Sequence, residues 1–481
     1  MQLAEYAKYD GIGLAHLVKK KELTPDELMN TALEAISRVN PKINAIVQTL
    51  PNEIKKGLSS VHSGAFEGVP FLLKEYPAHA SKIKVSLGSR LTKEGIAASQ
   101  DSSLVKRFRQ AGLITIGTTT TPEFAVDGTV ESLLYGSTRN PWDLDRTPGG
   151  SSGGAAAAVA SGIVPLAHGN DSGGSIRLPA AYCGLVGLKP TRGRVPSGPN
   201  AGEPLFGLGT EFALTKTIRD AAALLDAVSG PDAGCYAWAE RPHTPYIEDF
   251  SRVQKPLRIA VMSEPENGVP VDPEILDCLH QTVKLCEELG HNVVEASPEV
   301  DEERHFQMRI RFWTTAMHRE INELARSFNR IPSEENLEPV VYSAYQYGKS
   351  VTVDELLEAI EIQNTISRRV GQFFTEYDVL LSPTAAQLPV KLGEVNTNNP
   401  EWDVMEWLKR SDAITAFEGL ANTTGLPALS LPLGWSKKGL PIGMQFIGRF
   451  ADESALLRLA SQIEQACPWK GNIPPVHVSM T

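Results

Sequence analysis

Two serine-bearing glycine turns and one lysine are the residues of this chain best suited to chemistry. The first turn is Gly149-Gly-Ser-Ser-Gly-Gly154 and the second is Gly173-Gly-Ser175. Glycine lets a backbone approach a ligand and turn its N–H groups inward. Serine supplies a nucleophile, which needs a base and a set of donors for the oxyanion. Between the turns, Gly154–Ser161 reads as an Ala-rich helix that Gly162 can end in a left-handed conformation, and Val164–Ala167 as a short buried strand. A bare Gly/Ser cluster is usually a linker. A linker does not run straight into a buried Ala-rich helix, so that reading is set aside.

The lysine is Lys74, at the end of the apolar run Val69-Pro-Phe-Leu-Leu-Lys74. Most lysines are solvated, but one at the end of a buried strand is partly desolvated, which depresses its pKa toward base chemistry. His168 is the one histidine near the turns in sequence, and a structural role at a strand end is expected of it. Gly150–Gly154 also fits Gly-x-Ser-x-Gly with Ser152 central, yet the turn-rich Asn140–Pro148 stands where that motif needs a strand. An esterase of that type would require Ser152 and a late histidine such as His318 or His477. Gly184–Thr191 has the wrong spacing for a phosphate loop.

The run from Gly149 through Gly184-Leu-Val-Gly-Leu-Lys-Pro-Thr191 resembles the amidase signature family of serine amidohydrolases. The likeness extends, in the family's order, to Val69–Lys74, Gly136-Ser-Thr-Arg-Asn-Pro-Trp142, Asp378-Val-Leu-Leu-Ser-Pro-Thr384 and Gly439-Leu-Pro-Ile-Gly-Met-Gln445. The resemblance implies a Ser-Ser-Lys relay, with Ser175 as nucleophile, Ser151 as bridging residue after a cis peptide at Gly150–Ser151, and Lys74 as base. The 24 residues from Ser151 to Ser175 agree with the family pattern. It also implies an oxyanion site from the backbone N–H groups of Ser172, Gly173, Gly174 and Ser175. Asp171 and Arg177 resemble a pair that braces the loop, and a substrate-carboxylate role for Arg177 is the alternative. Two positions depart from the family: Glu75 stands where aspartate commonly follows the lysine, and Asn170 where threonine is more frequent.

The implied activity is hydrolysis of a small-molecule amide, linear or cyclic, through an acyl-enzyme on Ser175 and with no cofactor or metal. His168-Gly-Asn-Asp171 resembles hydrolases of nylon-type cyclic oligoamides. The rivals are a glutaminase subunit of a tRNA-dependent amidotransferase, which shares the signature, and a non-catalytic binding homologue. Lys74, Ser151 and Ser175 all being present speaks against the latter.

Bulk composition narrows the partners. With 46 Lys and Arg against 57 Asp and Glu, the net charge is −11, and no basic run is available to neutralise phosphates, so nucleic acid is excluded as a partner. Five scattered cysteines without a CxxC argue for reduced thiols and no structural metal, and no His/Cys/Asp/Glu cluster has ligand spacing. No signal-like start and no uncharged apolar run of about 18 residues is visible, so a cytoplasmic protein with no membrane association is expected. A homodimer is left open.

The elements that must position these residues alternate in type. Thr24-Pro-Asp-Glu27 is a capping box opening an amphipathic helix to about Val39, with Leu28, Ala32, Leu33 and Ile36 on one face. Helix Asp101–Ala111 leads to strand Leu113–Gly117, and Thr217–Val228 is a helix. Strand Leu257–Met262, helix Pro273–Leu289 and strand Asn292–Ala296 follow; strands at Asp378–Ser382, Ala428–Pro432 and Ile442–Ile447 precede a closing helix, Asp452–Ala466. Such alternation predicts an α/β fold, a mixed β-sheet covered by helices on both faces. Although 481 residues allow about three domains, residues 1–481 read as a single domain with its signature core at about 66–230. Residues 231–256 are linker-like without being a boundary. The aromatic-rich helical segment at about 300–375, with Phe306, Phe312 and Trp313, is expected to be core that also contributes to a pocket wall.

Overall fold

The structure, a computed structural model, describes residues 1–199, 201–235 and 237–480. Its strands are β1 (Ile46–Thr49), β2 (Pro70–Lys74), β3 (Ile114–Thr119), β4 (Glu131–Ser132), β5 (Gly136–Ser137), β6 (Leu166–Asp171), β7 (Val186–Lys189), β8 (Thr210–Thr215), β9 (Arg258–Val261), β10 (Asn292–Glu295), β11 (Val379–Pro383), β12 (Ala428–Trp435) and β13 (Pro441–Gly448). Eleven of them form one sheet in the order β1-β3-β2-β6-β8-β7-β12-β13-β11-β9-β10, and β4 with β5 makes a small ribbon. The sheet is mixed. β2 lies parallel to both β3 and β6, β9 lies parallel to β10 and β11, and the strands from β6 across to β11 pair antiparallel.

Side chains on a strand alternate between faces, and here both faces are covered. Ile259, Val261, Val379 and Leu381 enter one apolar cluster, together with Ile275 and Leu279 of helix Pro273–Glu288 and Leu456 and Leu459 of helix Glu453–Ala466. Their neighbours Ala260, Leu380 and Ile447 enter a second cluster, with Met308 and Phe312 of helix Glu302–Ser327 and Ile362 and Ile366 of helix Val353–Phe373. That period of two is the α/β layering expected from the sequence.

Several boundaries move, each for a local reason. The helix opened by Thr24 has both arms of its capping box and runs past Pro41 to Ile43, because a proline in the last turn removes only one bond and Asn44 then ends the helix in the left-handed region. The strand expected at Val164–Ala167 lies at Leu166–Asp171. Its polar residues stay extended because β8 pairs with them from Leu166↔Thr215 to Asp171↔Thr210. Strand β8 itself was not anticipated. The described residues of 231–256 are mostly irregular and largely exposed, anchored where Tyr246 is buried and Asp249 pairs with Arg458 of the closing helix. All five cysteines are free thiols.

Candidate active site

Strand β2 ends at Lys74, strand β6 ends at Asp171, and the two are neighbours in the sheet, so the lysine and the second serine turn emerge side by side. Helix Gly153–Ala160 starts directly after the first turn and brings Ser151 and Ser152 to the same place. Lys74 Nζ lies 2.6 Å from Ser151 Oγ, 3.0 Å from Ser152 Oγ and 2.5 Å from Asn170 Oδ1. The side chain is fully enclosed, and burial lowers its pKa to about 7 against the opposing pull of Glu211 and Asp171. The Gly150–Ser151 peptide is cis, as the resemblance implied.

Counting donors fixes where the lone pair of a neutral Lys74 points. A neutral amine has two N–H donors and one acceptor site. Asn170 Oδ1 can only accept, and its amide nitrogen donates to Tyr76 O at 3.4 Å, which holds that orientation. Ser152 gives its O–H to Asn170 O at 3.2 Å, so toward Lys74 it accepts. Both amine protons are thereby assigned. The lone pair is left for the hydroxyl of Ser151.

Asp171 and Arg177 hold the second turn from beneath. Arg177 Nε donates to Asp171 Oδ2 at 2.9 Å and Nη2 to Oδ1 at 3.0 Å, and both side chains are buried. The remaining guanidinium donors go to Glu418 O at 2.9 Å, Gln445 Oε1 at 2.6 Å and Asn422 Oδ1 at 2.6 Å. With every donor group occupied and no exposure, Arg177 has nothing to offer a substrate carboxylate, and the bracing reading fits the geometry. Asp171 also accepts the N–H of Gly174 at 2.8 Å. Of the four amides expected to face an oxyanion, Gly174's is therefore already committed, while Ser172, Gly173 and Ser175 line the cavity. Gly174 has φ +116°, and a Cβ there would lie 1.9 Å from Glu418 Oε2, so no other residue fits. The Glu418 carboxyl is buried with no hydrogen-bond partner among the described residues, and burial pushes its pKa well above the usual carboxylate range.

A profile of the Amidase family matches residues 27–457. The chain belongs to the amidase family. It is 34% identical over 477 residues to the 6-aminohexanoate-cyclic-dimer hydrolase of Paenarthrobacter ureafaciens, covering 97% of this chain and 96% of that protein. The acylamidase of Rhodococcus erythropolis is 31% identical over 478 residues, covering 96% of each. Among solved structures, that of a 6-aminohexanoate cyclic dimer hydrolase superposes with a TM-score of 0.93 at 33% identity, covering 98% of this chain and 99% of the other. This is an amidohydrolase of the amidase signature group, acting on carboxamide bonds.

Around the amidase turns, the other sequence candidates separate cleanly. His168 is buried; its Nδ1 accepts the N–H of Lys74 at 3.3 Å, which makes Nε2 the donor to Glu211 Oε2 at 2.9 Å. Burial lowers its pKa, Glu211 opposing. Burial would raise Glu211, but His79 and His168 hold it at about 2. His318 bonds Tyr345 O and His477 bonds Ser479, and among the described residues neither is hydrogen-bonded to Ser152. Glu75 points away from the relay, its carboxylate taken up by Ser86, Thr118 and Tyr135.

Two groups that could hold a metal ion, His79–His168–Glu211 and Glu266–Glu302–His305, leave no signal in the sequence. Their members come from distant segments, so no spacing rule finds them. The pocket wall does include Phe306, Ile310, Trp313 and Met317 from the 300–375 segment. It continues beyond that segment into Val404, Trp407 and Leu408, which were not foreseen.

Proposed function

We propose that this amidase works through Ser175 as nucleophile, Ser151 as bridging acid–base and Lys74 as the base. The observation that carries the reading is the 2.6 Å contact between Lys74 Nζ and Ser151 Oγ, made by a lysine whose burial brings it to about pKa 7. Ser175 loses its proton to Ser151, which passes its own to Lys74, and the serine oxygen attacks the amide carbon. The amides of Ser172, Gly173 and Ser175 receive the oxyanion. The proton returns through Ser151 to the departing amine, and water then cleaves the acyl-enzyme by the same route. Neither step draws on a metal or cofactor. Asp171 and Arg177 keep the turn in shape.

The substrate class follows the relatives. Hydrolases of 6-aminohexanoate cyclic dimer align with 97% of this chain, and the Trp313–Trp407 wall is suited to an aliphatic acyl chain. Small aliphatic amides, linear or cyclic, are the proposed substrates. The acidic composition, the free thiols and the lack of any helix long and apolar enough to cross a membrane among the described residues support a cytoplasmic location. The test is Ser175→Ala. Turnover and fluorophosphonate labelling should both vanish with the circular dichroism spectrum intact, and label found on Ser152 instead would overturn the assignment.

A further inference from the structure

The relay gives the cleft a direction. The proton that Lys74 takes through Ser151 must return along that path to the leaving nitrogen. The amine portion of the substrate therefore lies on the Ser151 side of Ser175, and the acyl portion on the other. These two sides differ in chemistry. The cavity bounded by Gly150, Gly173 and Ser175 continues into an apolar wall of Ile310, Trp407 and Leu408, and its one cation among the described residues, Arg309, is paired with Asp412. The cavity bounded by Ser151 and Ser175 runs past Asn170 and Tyr76 to Glu320.

Glu320 is half-buried on helix Glu302–Ser327. Its Oε2 accepts the hydroxyl of Tyr76 at 2.9 Å, the one hydrogen bond the carboxyl makes among the described residues. Tyr76 lies two residues beyond Lys74, and its carbonyl holds Asn170, so the carboxyl has a fixed relation to the relay. The neighbouring cation, Arg319, is exposed and paired with Glu323 at 3.1 Å. Glu211, on the same cavity, is committed to His168 and His79. Among the described residues, Glu320 is thus an acid inside a substrate cavity with no cationic partner of its own. Burial raises its pKa to about 7. An arriving cation would restore the ionised form and gain a charge-assisted hydrogen bond.

We infer that Glu320 selects the leaving group, and that this amidase favours amides whose amine portion carries a second, positively charged nitrogen. The carboxylate of Glu320 receives that ammonium while Tyr76 keeps it aimed. The inference rests on the Ser175–Ser151–Lys74 reading, which fixes which cavity holds the amine.

Three hexanoyl amides that differ only in the amine test it: hexamethylenediamine (cationic free end), hexylamine (neutral) and aminohexanoate (anionic). The wild-type enzyme should prefer the cationic over the neutral amide by about 10- to 100-fold in kcat/KM, the worth of one hydrogen bond to a charged group, with the anionic amide last. Glu320→Gln should bring the cationic-to-neutral ratio toward unity, chiefly through KM. A wild-type ratio near unity, failure to cleave the cationic amide, or an unaltered ratio in Glu320→Gln overturns the inference. The wild-type comparison stands even if the variant folds poorly. Hydrolysis that persists in Ser175→Ala would instead remove the relay itself.

Discussion

Asn170 Oδ1 lies 2.5 Å from Nζ of Lys74, and it can only accept. The lysine must donate there, which turns its lone pair toward Ser151 rather than toward the strand. Asn170→Ala should therefore lower kcat by on the order of 10-fold, about the worth of a hydrogen bond to a charged or ionisable group, through the proton transfer to Lys74. Losing an acceptor that favours the charged amine also moves the acid limb of the pH–rate profile to lower pH. Steady-state kinetics across pH check both. An effect on KM alone would make Asn170 a substrate contact.

The lysine must be neutral to act, and it sits at about 7 because burial penalises its charge. Activity should rise with pH through about 7 to an alkaline plateau. Lys74→Ala should cost about 10²- to 10⁴-fold in kcat, the usual value of a positioned base, and Lys74→Arg should not rescue it, since guanidinium stays charged. Stability carries a linked sign. Between about pH 7 and the ordinary lysine pKa, the unfolded chain binds a proton that the folded chain does not, so the contribution of Lys74 grows more favourable as pH rises. Lys74→Met should raise the melting temperature near neutral pH and flatten that part of its pH dependence. A wild-type profile with no limb near 7 would move the base elsewhere.

Much of this site is legible because the residues proposed to react lie in contiguous stretches. Lys74 ends an apolar strand, and Ser151 and Ser175 sit in glycine turns, where residue type and local pattern carry the information. The supporting groups are set by strand pairing and helix packing. Glu211 reaches His168 from 43 residues away because β8 pairs with β6, and Tyr76 meets Glu320 across 244 residues. Neither strand β8 nor the Trp407 wall left a motif in the sequence. Gly174 looked like an oxyanion donor from its position, and only the three-dimensional turn shows its amide given to Asp171.

Dialysis against a chelator should leave the rate unchanged. In the buried group behind the relay, both ring nitrogens of His168 are in use, one accepting from Lys74 N–H and the other donating to Glu211. A ligated histidine would have to give one of them up, and releasing Lys74 N–H would loosen the end of β2. In the second group, Arg309 Nη2 stands 3.2 Å from Glu302, already supplying positive charge. A loss of activity that zinc restores would overturn the metal-free relay.

Ser151 and Lys74 should behave as one unit. The contact of 2.6 Å, with both remaining lysine protons assigned to Asn170 and Ser152, makes Ser151 the route by which a proton reaches the base. Removing either residue interrupts the same transfer, so Ser151→Ala should resemble Lys74→Ala in kcat. The double variant should lose little more than either single one, because members of a relay are strongly non-additive. The deficit should also be larger for amides than for esters. An amine must be protonated as it leaves, whereas an alkoxide or phenoxide departs with less help, so an ester of the same acyl group isolates the attack step. Measuring kcat for the four proteins of the cycle on an amide and its matched ester reads both effects at once. Losses that simply multiply would mean that Ser151 and Lys74 act on separate steps, and an equal deficit on ester and amide would mean that the relay does not serve the leaving group.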